Sequence, residues 1–200
     1  MPAARDGGFG VRVGVDACVP DDGAALADAV AERLLALGLT VARVRQRDFC
    51  LPRSQRLEHG PRDADALYDH WYDDGALRRE VLDRIGPGGD DPTGPSWLPT
   101  LRDPDTDRST RAQRRPAAPG TVAVVDGRFL LRWELADAFD VSVHLATSAA
   151  AQERRLDDAD ERARALPAWA RYVEETDPAA RATFVVRHDH PARPALQHSP

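Results

Sequence analysis

Residues 11–35 read VRVGVDACVPDDGAALADAVAERLL: an apolar alternation that ends at Asp16, a short turn, then a long amphipathic run. Alternation of period two marks a strand over 11–16. Leu26, Val30, Leu34 and Leu37 at helical spacing mark a helix from Ala24 to Leu37, stopped by Gly38. A strand–turn–helix unit of this kind is where a nucleotide-binding fold places its phosphate loop. The turn here, Cys18-Val19-Pro20-Asp21-Asp22-Gly23, carries two acids where such a loop has glycines and a lysine.

The pattern repeats along the chain. TVARVRQ (40–46), TVAVVDG (121–127), DVSVHLAT (140–147) and ATFVVRHD (182–189) read as strands. Helices are expected over 63–85, 128–139 and 148–166, with a further one opened by Pro167 at a first-turn position. Strands alternating with helices predict an α/β fold, a parallel sheet wrapped on both faces as a three-layer α/β/α sandwich. One domain is expected over 11–190, with a flexible N-terminus at 1–10 and a proline-rich tail at 191–200. Residues 86–120, rich in Pro, Gly and charge, read as a long loop, functional or poorly ordered.

Composition narrows the function classes. The 200 residues carry a net charge of -6, which argues against a general nucleic-acid binder. No apolar run has the length of a membrane span, and the first ten residues lack the layout of a signal peptide. Cys18 and Cys50 do not make a disulfide framework, so a cytoplasmic setting is expected. All 27 Lys-plus-Arg residues are arginine, so mechanisms that require a lysine ammonium are excluded.

The segments VRVGVDA with its helix, RQRDFCLPRSQR, LYDHWYDDGALRREVLDRIGPGG, VAVVDGRFLLRWELADAFDVSVHL and DPAARATFVVRHDHP span most of residues 11–191. In this order and spacing they resemble the uridine kinase-like proteins of actinobacteria, a branch of the phosphoribulokinase/uridine kinase group of P-loop kinases. The resemblance implies a P-loop NTPase-like fold of the nucleoside and nucleotide kinase type. It also implies ATP and Mg²⁺ as cofactors and a nucleoside-like small molecule as partner.

Its phosphate loop, of the form VDGxxGxGKT, falls on Val15 and Asp16, which match. The glycine positions carry Ala17, Pro20 and Asp22, the lysine position carries Gly23, and the hydroxyl pair is Ala24-Ala25. Pro20 lacks an N–H for a cradle, and Asp21 and Asp22 put negative charge where polyphosphate would lie. The two acids can cap the following helix, or with Asp16 hold a divalent metal.

By the same resemblance, Asp16, Asp22 and Gly23 occupy cofactor-binding positions of the phosphate loop, and Arg154 and Arg155 those of a phosphate-covering lid. Arg162 and Arg164 read as partners for acids on a solvated helix. The position of the catalytic base carries Arg47, which cannot accept a proton, so the candidate catalytic acids are Asp48 and Asp126. Asp126 is also the metal candidate, at the family's strand-end acidic position. Phe49, Tyr68 and Asp69 fall near substrate contacts.

These departures favour a catalytically impaired member, a pseudokinase acting through a ligand, a protein partner or a second copy of itself. The alternatives are an active ATP-dependent nucleoside or small-molecule kinase with a non-standard loop, and a metal-dependent enzyme using Asp16, Asp21, Asp22 and Asp126.

Overall fold

The computed structural model describes residues 10–85 and 95–197. Strand β1 (Val11–Ala17) leads through two residues into α1 (Pro20–Ala36), and β2 (Val41–Arg45) follows. The short helices α2 (Arg53–Arg56), α3 (Ala64–Asp69) and α4 (Asp74–Leu77) come next; a π-helical turn over Arg78–Leu82 then joins α4 to α5 (Asp83–Ile85). Later come β7 (Val122–Gly127), β8 (Val141–Ala146), α6 (Ala149–Arg155), α7 (Ala159–Thr176), α8 (Pro178–Arg181), β9 (Phe184–Arg187) and β10 (Ala195–Gln197).

These strands form one sheet in the order β10-β9-β8-β1-β7-β2, parallel throughout except for β10, which runs antiparallel to β9. Alternation on β7 explains the layers. Val122 and Val124 pack with Val15 and Ala27 under α1, while Ala123 and Val125 pack with Leu77, Val81, Leu82 and Ile85 on the opposite face. A third cluster, with Leu67, Tyr68, Phe129, Trp169 and Tyr172, joins α3 and α7. The expected three-layer α/β/α fold is therefore present. Among the described residues no helix is long and apolar enough to cross a membrane.

Several elements differ from the sequence expectation, each for a local reason. Helix α1 begins at Pro20 rather than Ala24, because proline suits a first helical position, where no N–H is needed. The helix expected over 63–85 breaks at 70–73. Asp63 caps α3 by accepting from Ala66 N at 2.6 Å, and Asp73 caps α4 by accepting from Ala76 N at 2.8 Å. The break is held by Leu51 N donating to Trp71 O at 3.0 Å and Asp73 N donating to Phe49 O at 2.8 Å.

Residues 128–139 form turns with a single 3-10 turn at Ala136–Ala138. Leu130, Leu131 and Leu135 are all buried there, and Phe129 sits at φ 61, a left-handed conformation held by edge contacts to Tyr68 and Tyr172. The boundary expected at Pro167 lies instead at residues 156–158, where Leu156 turns into the core and Asp158 caps α7. Pro167 lies inside α7 at an exposed position, where water can reach the carbonyl that loses its partner.

Of the long excursion, residues 86–94 lie outside the described residues. The rest makes two small ladders, β3 (Ser96–Trp97) with β6 (Arg115–Pro116) and β4 (Arg102–Asp103) with β5 (Arg108–Ser109). Trp97 anchors it in the core, and Leu101 N donates to Asp48 O at 2.9 Å.

Candidate functional site

A cleft of about 460 Å³ opens at the carboxyl ends of β1, β2 and β7, where open parallel sheets bind ligands. Its walls come from the β1–α1 connection, the turn after β2, the Trp71-Tyr72 bend, residues 126–128, the α6–α7 break and Pro104-Asp105 of the excursion.

The connection that decided the sequence reading consists of Cys18 and Val19 alone. No residue from Ala17 to Gly23 has positive φ. Gly23 is a helical residue whose N–H donates to Val19 O at 3.3 Å, and a Cβ there would meet that of Ala17 at 3.0 Å. Its lack of a side chain lets α1 lie close on β1. Neither Asp21 nor Asp22 caps the helix: Val19 is the N-cap, with no side-chain hydrogen bond. Asp22 instead accepts from Arg155 at 2.7 Å and lies 3.6 Å from His188, joining the start of α1 to the end of α6 and of β9.

Asp16 is fully buried, in register with His144 on β8 and Gly127 on β7. Its Oδ2 lies 2.7 Å from His144 Nδ1 and accepts from the Tyr172 hydroxyl at 3.0 Å, while Oδ1 accepts from Leu130 N at 3.1 Å. His144 in turn stacks on Trp169, ring centroids 5.8 Å apart. Asp126 lines the cleft, but its Oδ1 is 2.5 Å from Arg43 Nη1, and Arg43 Nε also donates to Asp28 of α1 at 2.7 Å. Burial raises the Asp126 carboxyl above its usual range, and Arg43 opposes that shift.

The remaining candidates are dispersed. Arg155 lines the cleft, whereas Arg154 is exposed on α6. Asp48 is half-buried beside the excursion, not on the cleft wall; its carboxyl is raised mainly by burial, against Arg47 and Arg45. Phe49 is fully buried in the core under β2. The Tyr68 ring lies between the guanidiniums of Arg132 and Arg171, each 4.2 Å from its centroid, and Asp69 pairs with Arg171 at 3.0 Å. None of these three substrate candidates lines the cleft.

The wall carries other groups. Arg128 is buried, with Nε donating to Cys18 O at 2.6 Å and Nη2 to Glu161 at 2.7 Å. Trp71 lies under two guanidiniums, Arg56 at 5.2 Å and Arg164 at 4.8 Å. Among the described residues Arg164 makes no ion pair with the acids beside it, and its Nη1 donates to Pro61 O at 2.9 Å. Sequence reasoning missed Arg43, Arg56, Arg128, His144 and Tyr172. A signal existed only for Arg43, a charged residue on the period-two face that Val41 assigns to α1. Among the described residues no three His, Cys, Asp or Glu side chains gather as a metal-binding group.

Within the wall, Gln46 accepts from Arg128 N at 2.8 Å and donates to Asp74 at 2.9 Å. Burial pushes the Asp74 carboxyl up to about 6 from an unfolded value of 3.8. The protonated form therefore favours the native state, a contribution complete below about pH 4 and lost as pH rises through about 6. Asp74→Asn keeps the acceptor for Gln46 and removes the buried charge. It is expected to exceed the wild type by roughly 2 kcal/mol near pH 8 and to match it near pH 4, measured by urea denaturation. Equal stability near pH 8 would show that the carboxylate is well solvated.

The sequence matches no protein-family model and no curated protein. Among solved structures it is similar to a candidate uridine kinase from Bacillus stearothermophilus, at 19% identity and TM-score 0.70 over 92% of this chain and 90% of that one. A candidate fructose transport system kinase from Silicibacter sp. TM1040 aligns at 20% identity and TM-score 0.63, over 87% and 89% of the two chains. A D-glycerate 3-kinase from Cryptococcus neoformans var. grubii aligns at 14% identity and TM-score 0.63, over 94% and 90%.

The likeness is one of fold. Nearly the whole chain shares the α/β fold of these structures, and function must be read from the site.

Proposed function

We propose that this chain is a uridine kinase-like protein that no longer transfers phosphoryl groups from ATP and acts by binding a small molecule in the cleft. The observation that carries the reading is the two-residue β1–α1 connection. A phosphate cradle needs a glycine-rich loop whose successive N–H groups turn inward, a lysine and a hydroxyl for Mg²⁺. The residues present do not fit that group. Cys18 and Val19 are too few to wrap a phosphate, Pro20 has no N–H to give, and Asp21 brings negative charge to the rim.

The acids that phosphoryl transfer would call on are engaged elsewhere, Asp16 by His144 and Tyr172 and Asp126 by Arg43. Each missing part of a phosphoryl-transfer site commonly costs orders of magnitude in rate. The metal-dependent alternative has less support, because Asp16, Asp22 and Asp126 each already hold a histidine, tyrosine or arginine partner.

The test is calorimetric titration with ATP and Mg²⁺. No saturable heat is expected up to about 1 mM nucleotide, whereas a Kd in the micromolar range, about -8 kcal/mol, would overturn the reading. A phosphotransfer assay over nucleosides and small sugars, expected to be silent, gives a second readout.

A further inference from the structure

Among the cleft's arginines, one is unlike the rest. Arg47 pairs with Asp105 at 3.1 Å, Arg56 with Asp107 at 3.3 Å, Arg128 with Glu161 at 2.7 Å and Arg155 with Asp22 at 2.7 Å. Among the described residues no carboxylate lies within ion-pair distance of Arg164. It is held by stacking over Trp71 and by one bond to the Pro61 carbonyl, and its Nε is buried without a hydrogen-bond partner. Burial lowers its pKa below the usual arginine value, with the Arg128 guanidinium adding to the shift and Glu161 and Asp158 opposing it from beyond ion-pair distance. A half-buried guanidinium on the wall of a cavity, with Nη2 committed to no carboxylate among the described residues, is an anchor for an external one.

The surroundings limit the charge and shape of what can dock. Within the lining, six carboxylates stand against five guanidiniums, and Asp21 and Asp157 sit exposed on its rim. One anionic charge satisfies Arg164; a dianion or polyphosphate would leave charge uncompensated beside those acids. The lining also carries Trp71, whose ring is partly covered by Arg56 and Arg164, together with Tyr72 and Leu156, apolar surface for the body of a small ligand.

We infer that the cleft binds a small flat monocarboxylate, its carboxylate on the Arg164 guanidinium and its body against Trp71, Tyr72 and Leu156. This rests on the proposed loss of ATP binding and assigns a ligand class to the same site.

The test is calorimetric or NMR titration of the full chain with benzoate, its neutral isostere benzamide, and phenyl phosphate. Benzoate is expected to bind with a Kd of about 1 mM or tighter, and at least tenfold better than benzamide or phenyl phosphate. Arg164→Gln is expected to remove that preference. Arg164→Lys, which keeps the charge without the fork, should retain only part of it, with far-UV circular dichroism checking that both variants stay folded. Equal binding of benzoate and benzamide, tighter binding of phenyl phosphate, silence toward benzoate, or an unchanged benzoate affinity in Arg164→Gln would each overturn the inference. ATP titrated in the same series separates the two failures. ATP binding removes the proposed function, whereas silence toward both ATP and benzoate removes only the ligand class.

Discussion

Asp16→Ala is expected to destabilise the native state by about 4 kcal/mol, the largest single loss anticipated in this protein. The carboxylate has no solvent exposure and accepts from the Tyr172 hydroxyl and from Leu130 N, while His144 Nδ1 lies 2.7 Å from the same Oδ2 that Tyr172 uses. Truncation strands these groups in the interior, each at roughly 1–3 kcal/mol, partly recovered by relaxation, and leaves a void beside Phe129 and Trp169. Asp16→Asn retains an acceptor for Leu130 N, and its amide can face a His144 tautomer whose Nδ1 accepts. It should lose about half as much.

Urea denaturation of both variants, with Tyr172→Phe in a double-mutant cycle, reads the effect and the coupling. A loss below about 1 kcal/mol in Asp16→Ala would show that water replaces the carboxylate and that the network is not closed. The result also bears on function. A strand-end acid whose oxygens join β1, β8, α7 and the turn after β7 serves architecture, and it is not among the residues that line the cleft.

Gly127→Ala is the second large effect, expected to cost roughly 2–4 kcal/mol. The reason is space rather than backbone conformation, because Gly127 has no positive φ. A Cβ at this position would lie 2.3 Å from Gln46 Oε1 and 2.7 Å from Gln46 Cβ. Gln46 is buried, and its two ends are committed to Arg128 N and to Asp74, so it cannot swing aside without breaking both bonds. Because Arg128 and Gln46 also line the cleft, the substitution is expected to weaken ligand binding along with stability.

The Gly127→Ala/Gln46→Ala pair should be less destabilised than the sum of the single variants. Strict additivity would place the strain elsewhere.

Fold class was legible in residues such as Val122 to Val125, whose continuous apolar run marks a strand buried on both faces. Helix boundaries were less so. Pro167 and the run from 63 to 85 misled because a proline tolerated at an exposed position and an aspartate acting as an internal cap look alike in sequence wherever they fall. Of the candidate site, the β1–α1 turn, Asp22, Gly23 and Asp126, placed at or just after strand ends, line or border one cleft, together with Arg155, named from the lid position of the resemblance. Asp48, Phe49, Tyr68 and Asp69 were carried by local spacing across a strand end and a helix break, where a shift of one residue changes the face.

By itself the sequence determined the α/β alternation, the absence of lysine and the acids in the turn after β1, since these follow from residue type and short-range period. Tertiary structure alone decided what the charged groups do. Arg43 reaches Asp126 across neighbouring parallel strands, Asp22 meets Arg155 from the end of another helix, and Asp16 is enclosed by His144 and Tyr172 from 128 and 156 residues away. Arg164 is left as the cleft cation with no carboxylate within ion-pair distance among the described residues, though Glu161 and Asp158 stand nearby. The electrostatic state of a side chain depends on partners and burial that local sequence does not encode.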